Sequence, residues 1–406
     1  MVPKGWNILS LRDLVDFTNG KAHENDVDEC GQFVLVNSKF ISTGGTVFKK
    51  TDSAHCPASE GDILMVMSDV PNGKAIAKCF YVTKNNEYTV NQRIARLRAI
   101  ACDSHFLYYS LDRNKYYLKF DDGVKQTNLR KDEVLDCPIK VPPLPEQNKI
   151  AKILSTWDQA ISTTEQLLAN SQQQKKALMQ QLLTGKKRLL DKNGVKFSGE
   201  WKWFKIADLL LVRKEKQVPT DDVPLYSLTI EDGVTAKSER YNREFLVKNS
   251  DEKKYKIVRP KDIVYNPANL RWGAINFSRL NHSVVVSPIY EVLYVRDIAC
   301  TALEFVAQKL MTPDQINRFA SMVEGTLVER MAVKIEPFIA TKLSIPPTYE
   351  EQQKIASVLT AADQEIETLQ RKIDCLKQEK KALMQQLLTG KRRVQVGSSE
   401  GIAHDR

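Results

Sequence analysis

The chain has 406 residues, of which 42% are hydrophobic and 27% are charged, which excludes a mainly disordered protein and favours two domains with connectors. No apolar run approaches the ~20 residues of a membrane-spanning helix, and the N-terminus lacks the apolar core of a secretory signal, so we expect a cytoplasmic protein with no membrane partner. The formal net charge of +10 favours a polyanionic partner, of which nucleic acid is the commonest.

Residues 1–143 are predicted to form a first domain of mixed α and β structure. Short apolar runs predict strands at Phe33–Val36 and Ile63–Val66, and a further run predicts a helix over 104–114. The length of this segment is that of one ordinary domain.

A first long helix is predicted over 144–190. Prolines precede its start, where a missing N–H is tolerated, and Gly185 provides a stop. Its apolar residues follow alternating steps of four and three, which is the period of a coiled-coil seam and calls for a partner helix. The predicted seam residues are Ile150, Leu154, Trp157, Ile161, Leu168, Leu178 and Leu182.

Residues 191–345 are predicted to form a second domain like the first, which makes the expected fold class α+β. Strand-like runs lie at 283–286 and 290–295, and a helical run covers 300–308. The anchors that match between the domains are Trp6 with Trp201 and Asp62 with Asp262. The spacing between anchors differs, which indicates insertions in surface loops.

A second long helix is predicted over 346–393, followed by a disordered tail over 394–406. Residues 175–186 recur without change at 380–391, so the chain is a tandem duplication. The second seam consists of Ile355, Leu359, Ile366, Leu369, Ile373, Leu376, Leu383 and Leu387. Thr164, Ser171 and Lys175 dilute the first seam, which favours pairing of the two helices with each other over a homodimer.

The alternative is that each helix packs only on the core of its own domain. Helices in globular proteins are usually ~10–14 residues long. The predicted helices have roughly 40 residues, which at ~1.5 Å per residue is a length on the order of 60 Å. A single small domain cannot cover a helix of that length.

The layout resembles the specificity subunit of type I restriction–modification systems. The residues that carry the resemblance are Pro142-Pro143-Leu144-Pro145-Glu146-Gln147, Pro346-Pro347-Thr348-Tyr349-Glu350-Glu351-Gln352, both copies of Gln-Gln-Leu-Leu-Thr-Gly-Lys, and Gly61-Asp62-Ile63-Leu64. The resemblance extends from Trp6 to about Arg393. Duplicated and in the expected order, these motifs are far more specific than any one of them.

The resemblance implies a non-catalytic, sequence-specific DNA-binding subunit with two target recognition domains that are separated by an antiparallel coiled coil. Each domain would read one half of a bipartite target in double-stranded DNA. The implied partners are two modification subunits, which methylate adenine with S-adenosylmethionine, and ATP-dependent restriction subunits. S-adenosylmethionine, ATP and magnesium are expected on those partners, and no cofactor or metal is expected on this chain.

Candidate DNA-contacting residues lie in loops that combine cations with amides, because guanidinium and amide groups bind base edges and cations bind phosphates. The candidates are Ser68, Asn72 and Lys74, then Lys125, Asn128 and Arg130, and in the second domain Asn266, Asn269, Arg271 and Trp272. The alternative for each residue is a solvated loop position. Trp272 is expected to pack in a core rather than to stack, since aromatic residues are mainly core material.

Enzymatic interpretations have little support. Thr184-Gly185-Lys186 follows a helix and lacks the upstream glycine of a phosphate-binding loop, and 266–269 lacks the aromatic residue of an amino-methyltransferase tetrad. The remaining alternative is a DNA nuclease whose magnesium site uses Asp221 or Asp222 with Asp251-Glu252-Lys253. A purely structural coiled-coil scaffold is a third possibility, and it predicts no sequence-selective protection of DNA.

Spacer length is expected to set the gap between the half-sites. Half-sites one turn apart lie ~34 Å apart along the duplex. Inserting one heptad into both long helices should therefore lengthen the recognised gap, which a methylation map of the variant would measure. An unchanged gap would contradict a ruler function of the helices.

Overall fold

The structure is a computed structural model that describes residues 3–23, 25–71, 73–230, 233–236, 253–323 and 332–395. The backbone divides into two compact units, of which the first contains residues 1–165 and 371–406 and the second contains residues 166–370. Each unit therefore holds a part of both long helices. Among the described residues, no helix combines the length and the apolar character that a membrane span requires.

The first unit contains strands and short helices that precede the first long helix. The strands are β1 (Asn7–Ser10), β2 (Val15–Asn19), β3 (Phe33–Val36), β4 (Lys49–Thr51), β5 (Pro57–Ala58), β6 (Ile63–Val66), β7 (Ser68–Asp69), β8 (Cys79–Tyr81), β9 (Tyr88–Val90), β10 (Ile94–Ala99), β11 (Thr127–Asn128) and β12 (Pro138–Val141). The helices are α1 (Ser38–Ser42), α2 (Ser104–Leu111), α3 (Lys115–Leu118), α4 (Lys131–Leu135) and the long helix α5 (Leu144–Leu182).

The strands of the first unit form a sheet of order β2-β10-β6-β8, a second sheet of order β4-β3-β9-β5, and the ribbons β1–β12 and β7–β11. The central strand β6 is buried on both faces. Because side chains alternate along a strand, Ile63 and Met65 enter one hydrophobic core and Leu64 and Val66 enter another. One continuous apolar run thus serves two cores.

The second unit repeats this architecture. Its strands are β13 (Lys202–Lys205), β14 (Leu210–Val212), β15 (Lys216–Gln217), β16 (Tyr226–Thr229), β17 (Gly233–Ala236), β18 (Tyr255–Val258), β19 (Ile263–Tyr265), β20 (Ile275–Phe277), β21 (Val284–Val286), β22 (Glu291–Val295) and β23 (Lys342–Ile345). Its helices are α6 (Ile206–Leu209), α7 (Leu303–Leu310), α8 (Pro313–Ser321), α9 (Ile335–Ala340) and the long helix α10 (Tyr349–Leu387).

The sheet order β14-β22-β19-β20 matches β2-β10-β6-β8, and the ribbon β13–β23 matches β1–β12. Ile263 and Tyr265 of the central strand β19 enter one core and Val264 enters another, as in β6. The predicted α+β fold class is confirmed, and both units carry the same duplicated plan.

Several predicted boundaries are wrong by a few residues. The helix predicted over 104–114 ends at Leu111, because the Asp112 backbone leaves the helical region and its carboxylate accepts from the Cys79 N–H. The helix predicted over 300–308 spans Leu303–Leu310, since the Ala302 N–H binds the side chain of Gln352 instead of continuing a helix. The strands predicted at 283–286 and 290–295 each begin one residue later.

Each long helix has 39 residues and is followed by a glycine with φ of +73°, Gly185 or Gly390. This left-handed conformation favours glycine, and a Cβ on Gly185 would lie 3.1 Å from the Trp201 ring. Helix α5 therefore stops at a fixed place. Of the tail predicted over 394–406, residues 396–406 lie outside the described residues.

Polar pairs show that the two long helices run antiparallel within each unit. In the first unit, Asp158 binds Lys380 (2.5 Å) and Glu165 binds Lys377 (2.7 Å). In the second, Ser171 binds Glu365 (3.1 Å) and Lys175 binds Asp363. The partner number falls as the residue number on α5 rises, which an antiparallel pair requires.

The predicted seam residues all lie at buried or half-buried positions of α5 and α10, and Thr164, Ser171 and Lys175 lie on the same stripe. The other residues between Ile161 and Leu178 are exposed. At the helix ends the seam also joins a domain core: Ile150 and Leu154 share a cluster with Trp6 and Phe106. The ends of the long helices thus pack on a domain core, whereas their middle parts bury only a narrow coiled-coil stripe.

An ion pair with a buried carboxylate closes each unit. In the first unit Arg393, which follows α10, binds Glu146 at the start of α5 through two contacts of 2.7 and 2.8 Å. In the second unit Arg188, which follows α5, binds Glu351 at the start of α10 at 2.5 and 2.7 Å. Each carboxylate is buried. The repeated glutamate thus joins the start of one long helix to the end of the other.

The glutamine after each glutamate attaches the helix to the domain. Gln147 accepts from the Asp103 N–H at the start of α2 (2.8 Å), and Gln352 accepts from the Ala302 N–H at the start of α7 (2.9 Å). Amide acceptors at these positions satisfy backbone donors that a helix start leaves unpaired. This explains why Glu-Gln recurs in both copies.

Arg188→Met should lower the free energy of unfolding of the second unit by about 3–5 kcal/mol, because the buried Glu351 carboxylate loses its charged partner. The double variant Arg188→Met/Glu351→Gln should recover most of the loss, since no buried charge is left unpaired. Urea titration followed by tryptophan fluorescence measures both. Arg393→Met is the matched control and should lose less, because the Arg393 side chain is 45% exposed against 16% for Arg188. A loss at Arg188 no larger than the loss at Arg393 would contradict this interpretation.

Candidate nucleic-acid interface

The candidate residues lie mainly in one loop that occupies the same place in both units. In the first unit residues 67–78 join β6 to β8, and in the second unit residues 266–274 join β19 to β20. Both loops leave the end of a central strand that is buried on both faces. A rigid strand thus carries a loop whose length and sequence differ between the units.

An aspartate stands before each central strand and is structural. Asp62 is buried and binds Arg98 of β10 through contacts of 2.7 and 2.9 Å. Asp262 is also buried and binds Arg213, which follows β14, at 2.6 and 2.9 Å. These hydrogen bonds raise the pKa of both guanidinium groups, which favours their charged form. The matching Asp anchors therefore hold the strand that presents the loop.

The loop of the first unit is held from inside by Asp69. Its carboxylate accepts from the backbone N–H groups of Val70 (2.9 Å), Ala75 (2.6 Å) and Ile76 (3.0 Å). Lys74 is exposed. Asn72, another candidate, lies outside the described residues. The loop tip is therefore displayed on a closed turn.

The structure brings the two candidate segments of the first unit together. Strand β11 pairs with β7, with Asn128 opposite Ser68. Ser68 is buried; its hydroxyl donates to Asn128 Oδ1 (2.7 Å) and accepts from Gln126 Nε2 (2.9 Å). Ser68 therefore orients two exposed amides and does not itself face solvent. Lys125 and Arg130 lie exposed on either side of them.

In the second unit Asn266 is a positioning residue. It is buried, and its side-chain oxygen accepts from the Ala268 N–H (3.1 Å). Asn269 is exposed, while its carbonyl accepts from the N–H groups of Trp272 (2.9 Å) and Ala274 (3.2 Å). Residues Leu270–Trp272 form a 3-10 turn that Gly273 ends with φ of +93°.

The expectation that Trp272 packs in a core is wrong. Its side chain is 65% exposed, and the Arg271 guanidinium carbon lies 5.1 Å from the indole centroid. Leu270 takes the buried position of the turn instead. The Trp272 side chain is therefore displayed outward, and Arg271 lies half-buried beside it.

Two features of the interface were missed by the sequence prediction. Gln126 is an exposed amide fixed by Ser68. In the second unit, the Val333 N–H donates to the Pro267 carbonyl (3.0 Å), as the Leu129 N–H donates to the Met67 carbonyl (2.8 Å). Lys334 thus stands before α9 where Arg130 stands before α4. The segment before α9 lacks the amide residues that precede α4. The position of Lys334 immediately before a short helix is therefore the only sequence signal for it.

Comparison with known proteins decides what kind of protein presents these loops. Residues 3–170 match the family model described as type I restriction modification DNA specificity domain. Over 422 aligned residues, the chain is 26% identical to the type I restriction enzyme MjaVIII specificity subunit of Methanocaldococcus jannaschii, covering 97% of this chain and 94% of that protein. Residues 3–170 therefore carry a type I restriction modification DNA specificity domain, and the chain is similar over nearly its whole length to a type I specificity subunit.

Solved structures carry the same fold. The S subunit of a type I restriction–modification system from M. genitalium superposes with a TM-score of 0.61 at 14% identity, covering 95% of this chain and 99% of that chain. A chain from a structure of a type I R-M system, which concerns complex assembly and conformational transition, superposes with a TM-score of 0.54 at 15% identity, covering 97% and 100%. The two-domain, coiled-coil plan of this chain is therefore the fold of the known S subunit.

The nuclease alternative finds no support in these comparisons. In the nuclease alternative, Asp221 and Asp222 are exposed, and Asp251 and Glu252 lie outside the described residues. Within the part of the chain that the structure describes, no group of His, Cys, Asp and Glu is arranged to hold a metal ion.

Arg271→Ala should weaken binding to the target DNA by ~1–3 kcal/mol and relax the preferred sequence in one half-site, if the guanidinium binds a guanine edge. Arg296→Ala is the matched control. The start of β22 pairs with Tyr265, which lies beside the loop, whereas exposed Arg296 follows the other end of β22. Competition binding against single-base variants of the target measures both effects. Equal loss on every sequence would instead assign Arg271 to a phosphate, and an unchanged affinity would remove it from the interface.

Proposed function

We propose that this chain recognises a bipartite target in double-stranded DNA, with one reading surface in each unit, and directs methylation and restriction by partner subunits. The observation that carries the proposal is the repeated loop: the same strand order presents a loop at the same place in both units, but with different residues. Two copies of one scaffold with different loops suit two different half-sites. In this proposal, 1–143 and 191–345 are the target recognition domains, and 144–190 and 346–393 are the helical segments.

The reading surface of the first unit combines amides with cations. Gln126 and Asn128 present side-chain amides, which suit the N6 and N7 edge of adenine. Lys74, Lys125 and Arg130 are exposed cations beside them that suit phosphate oxygens. Ser68 fixes the amides beforehand, so that less side-chain freedom is lost on binding.

The reading surface of the second unit is built differently. Asn269 and Arg271 supply an amide and a guanidinium from one short turn, and Asn266 holds the turn from below. Since these groups differ from the amide pair of the first unit, we infer that the two half-sites differ in sequence. Lys334 adds an exposed cation beside the turn.

The identity between the long helices supports two equivalent partners. In the twelve residues that recur, Lys176, Gln180 and Gln181 are exposed, and so are Lys381, Gln385 and Gln386. No core requires these side chains, so an external contact common to both copies accounts for their identity. We assign that contact to two modification subunits, which carry S-adenosylmethionine; restriction subunits with ATP and magnesium join the complex. Because the proposed target is double-stranded DNA, we infer that the protein acts in the cytoplasm.

Variants of one surface should change only one half of the methylated motif. Co-expression with the methyltransferase subunit and mapping of methylated adenines gives the wild-type bipartite target. Asn128→Ala/Arg130→Ala should relax one half-site and Asn269→Ala/Arg271→Ala the other, with the gap unchanged in both. Relaxation of both halves by either double variant would contradict the assignment of one half-site to each unit.

A nicking assay on the isolated chain distinguishes a DNA-binding subunit from a nuclease. The isolated chain with magnesium should leave supercoiled target DNA intact. Nicking that is abolished by Asp251→Ala would contradict a non-catalytic subunit.

A further inference from the structure

The indole of Trp272 is exposed within the loop that carries the candidate residues of the second unit. A large aromatic side chain normally buries most of its surface, and Trp6 does so in the first unit. Trp272 is 65% exposed, and the half-exposed side chain of Ile230 lies beside the neighbouring Gly273. Trp203 of β13 is also exposed (58%), but only Trp272 lies in the turn that carries Asn269 and Arg271.

The backbone turn that carries Trp272 is held in place by several contacts. Leu270 anchors the turn in the core, the Trp272 N–H is bonded to the Asn269 carbonyl at 2.9 Å, and Gly273 ends the turn in a left-handed conformation. The indole has only two side-chain torsions. Little conformational entropy therefore remains to be lost when the ring makes a contact.

The corresponding loop of the first unit also displays an apolar residue. Val70 is 63% exposed at the tip that the Asp69 carboxylate holds. The repetition of an apolar tip in both loops argues against an accident of one surface. The two tips differ in chemistry, because valine offers an aliphatic contact and tryptophan offers a planar ring that can stack.

We propose that Trp272 stacks on a base that has left the continuous stack of the duplex in the half-site bound by the second unit. This inference rests on the proposed function. The neighbours favour a nucleic-acid base over a protein partner: Asn269 and Arg271 of the same turn supply groups that bind base edges and phosphates, whereas a protein interface requires a broader apolar patch. Enzymes that modify a base take it out of the stack, which exposes the faces of that base to a planar ring such as the indole.

The Arg271 guanidinium over the indole supports the same arrangement. A cation at this place attracts the phosphate backbone toward the ring, and the indole is 65% exposed for contact with a base. Val70 in the first unit is aliphatic and cannot stack on a base. The proposal therefore predicts a base–aromatic stack only in the half-site of the second unit.

The test uses the chain assembled with its modification subunits on the target DNA. Trp272→Ala should weaken binding by about 5- to 150-fold, the usual range for the loss of one base–aromatic stack, and Trp272→Phe should retain part of the affinity. The dependence of log affinity on log salt should keep its slope, because no phosphate contact is lost. Target DNA that contains 5-iodouracil should photocrosslink to the peptide with Trp272 only from the half-site of the second unit.

Trp203→Ala is the matched control, since Trp203 lies on β13 of the same unit and is 58% exposed. Its DNA affinity should equal that of the wild type. Wild-type affinity of Trp272→Ala would overturn stacking, and so would the absence of a crosslink to the Trp272 peptide in the wild-type complex or a reduced salt slope of the variant. Weaker assembly with the modification subunits at unchanged DNA affinity would assign the ring to a protein contact and also overturn it. Absence of selective binding by the wild-type complex would instead contradict the proposed function.

Discussion

A carboxylate buried at the start of each long helix must have a charged partner, and an arginine that follows the other helix supplies it. Glu146 with Arg393 and Glu351 with Arg188 therefore set where each helix begins and ends within its unit. An uncompensated buried charge is strongly destabilising, so a helix cannot slide by one turn without a large penalty. The adjacent glutamine carries this register into the domain through the first turn of α2 or α7.

The central strand of each unit links this part of the structure to the candidate DNA-binding loop. The central strands β6 and β19 each fill two cores, and a buried aspartate–arginine pair holds the residue before each strand. Packing therefore constrains the side chains on both faces of the strand and the residue before it. Only the sequence of the loop after the strand is free to differ between the units. Recognition residues placed there can change without disturbing the cores, which suits a protein whose two surfaces have different targets.

The long helices could be predicted from the sequence because a seam with a 3.5-residue period and an internal duplication are visible in the sequence itself. The seam residues are the ones that are buried or half-buried in the structure. The fold class followed from the duplication and from short apolar runs. The interface was harder to predict. Ser68 and Asn266 are polar loop residues that proved to be buried, since their side chains satisfy neighbouring groups, and Trp272 proved to be exposed because Leu270 takes the buried place. Such choices depend on which of several adjacent residues the turn directs inward, and that is a property of the tertiary structure.

The discontinuity of the first unit bears on the order in which the protein matures. The second unit is one continuous stretch, 166–370, whereas the first unit joins residues from both ends of the chain: Arg393 binds the carbonyl of Lys4, and Leu387 shares a core with Trp6. At roughly 5–20 residues per second, Trp6 waits on the order of 20–80 s on the ribosome for Leu387. The first unit begins before the second along the chain but is completed after it, and until then its core surface is exposed to chaperones, proteases and other nascent chains.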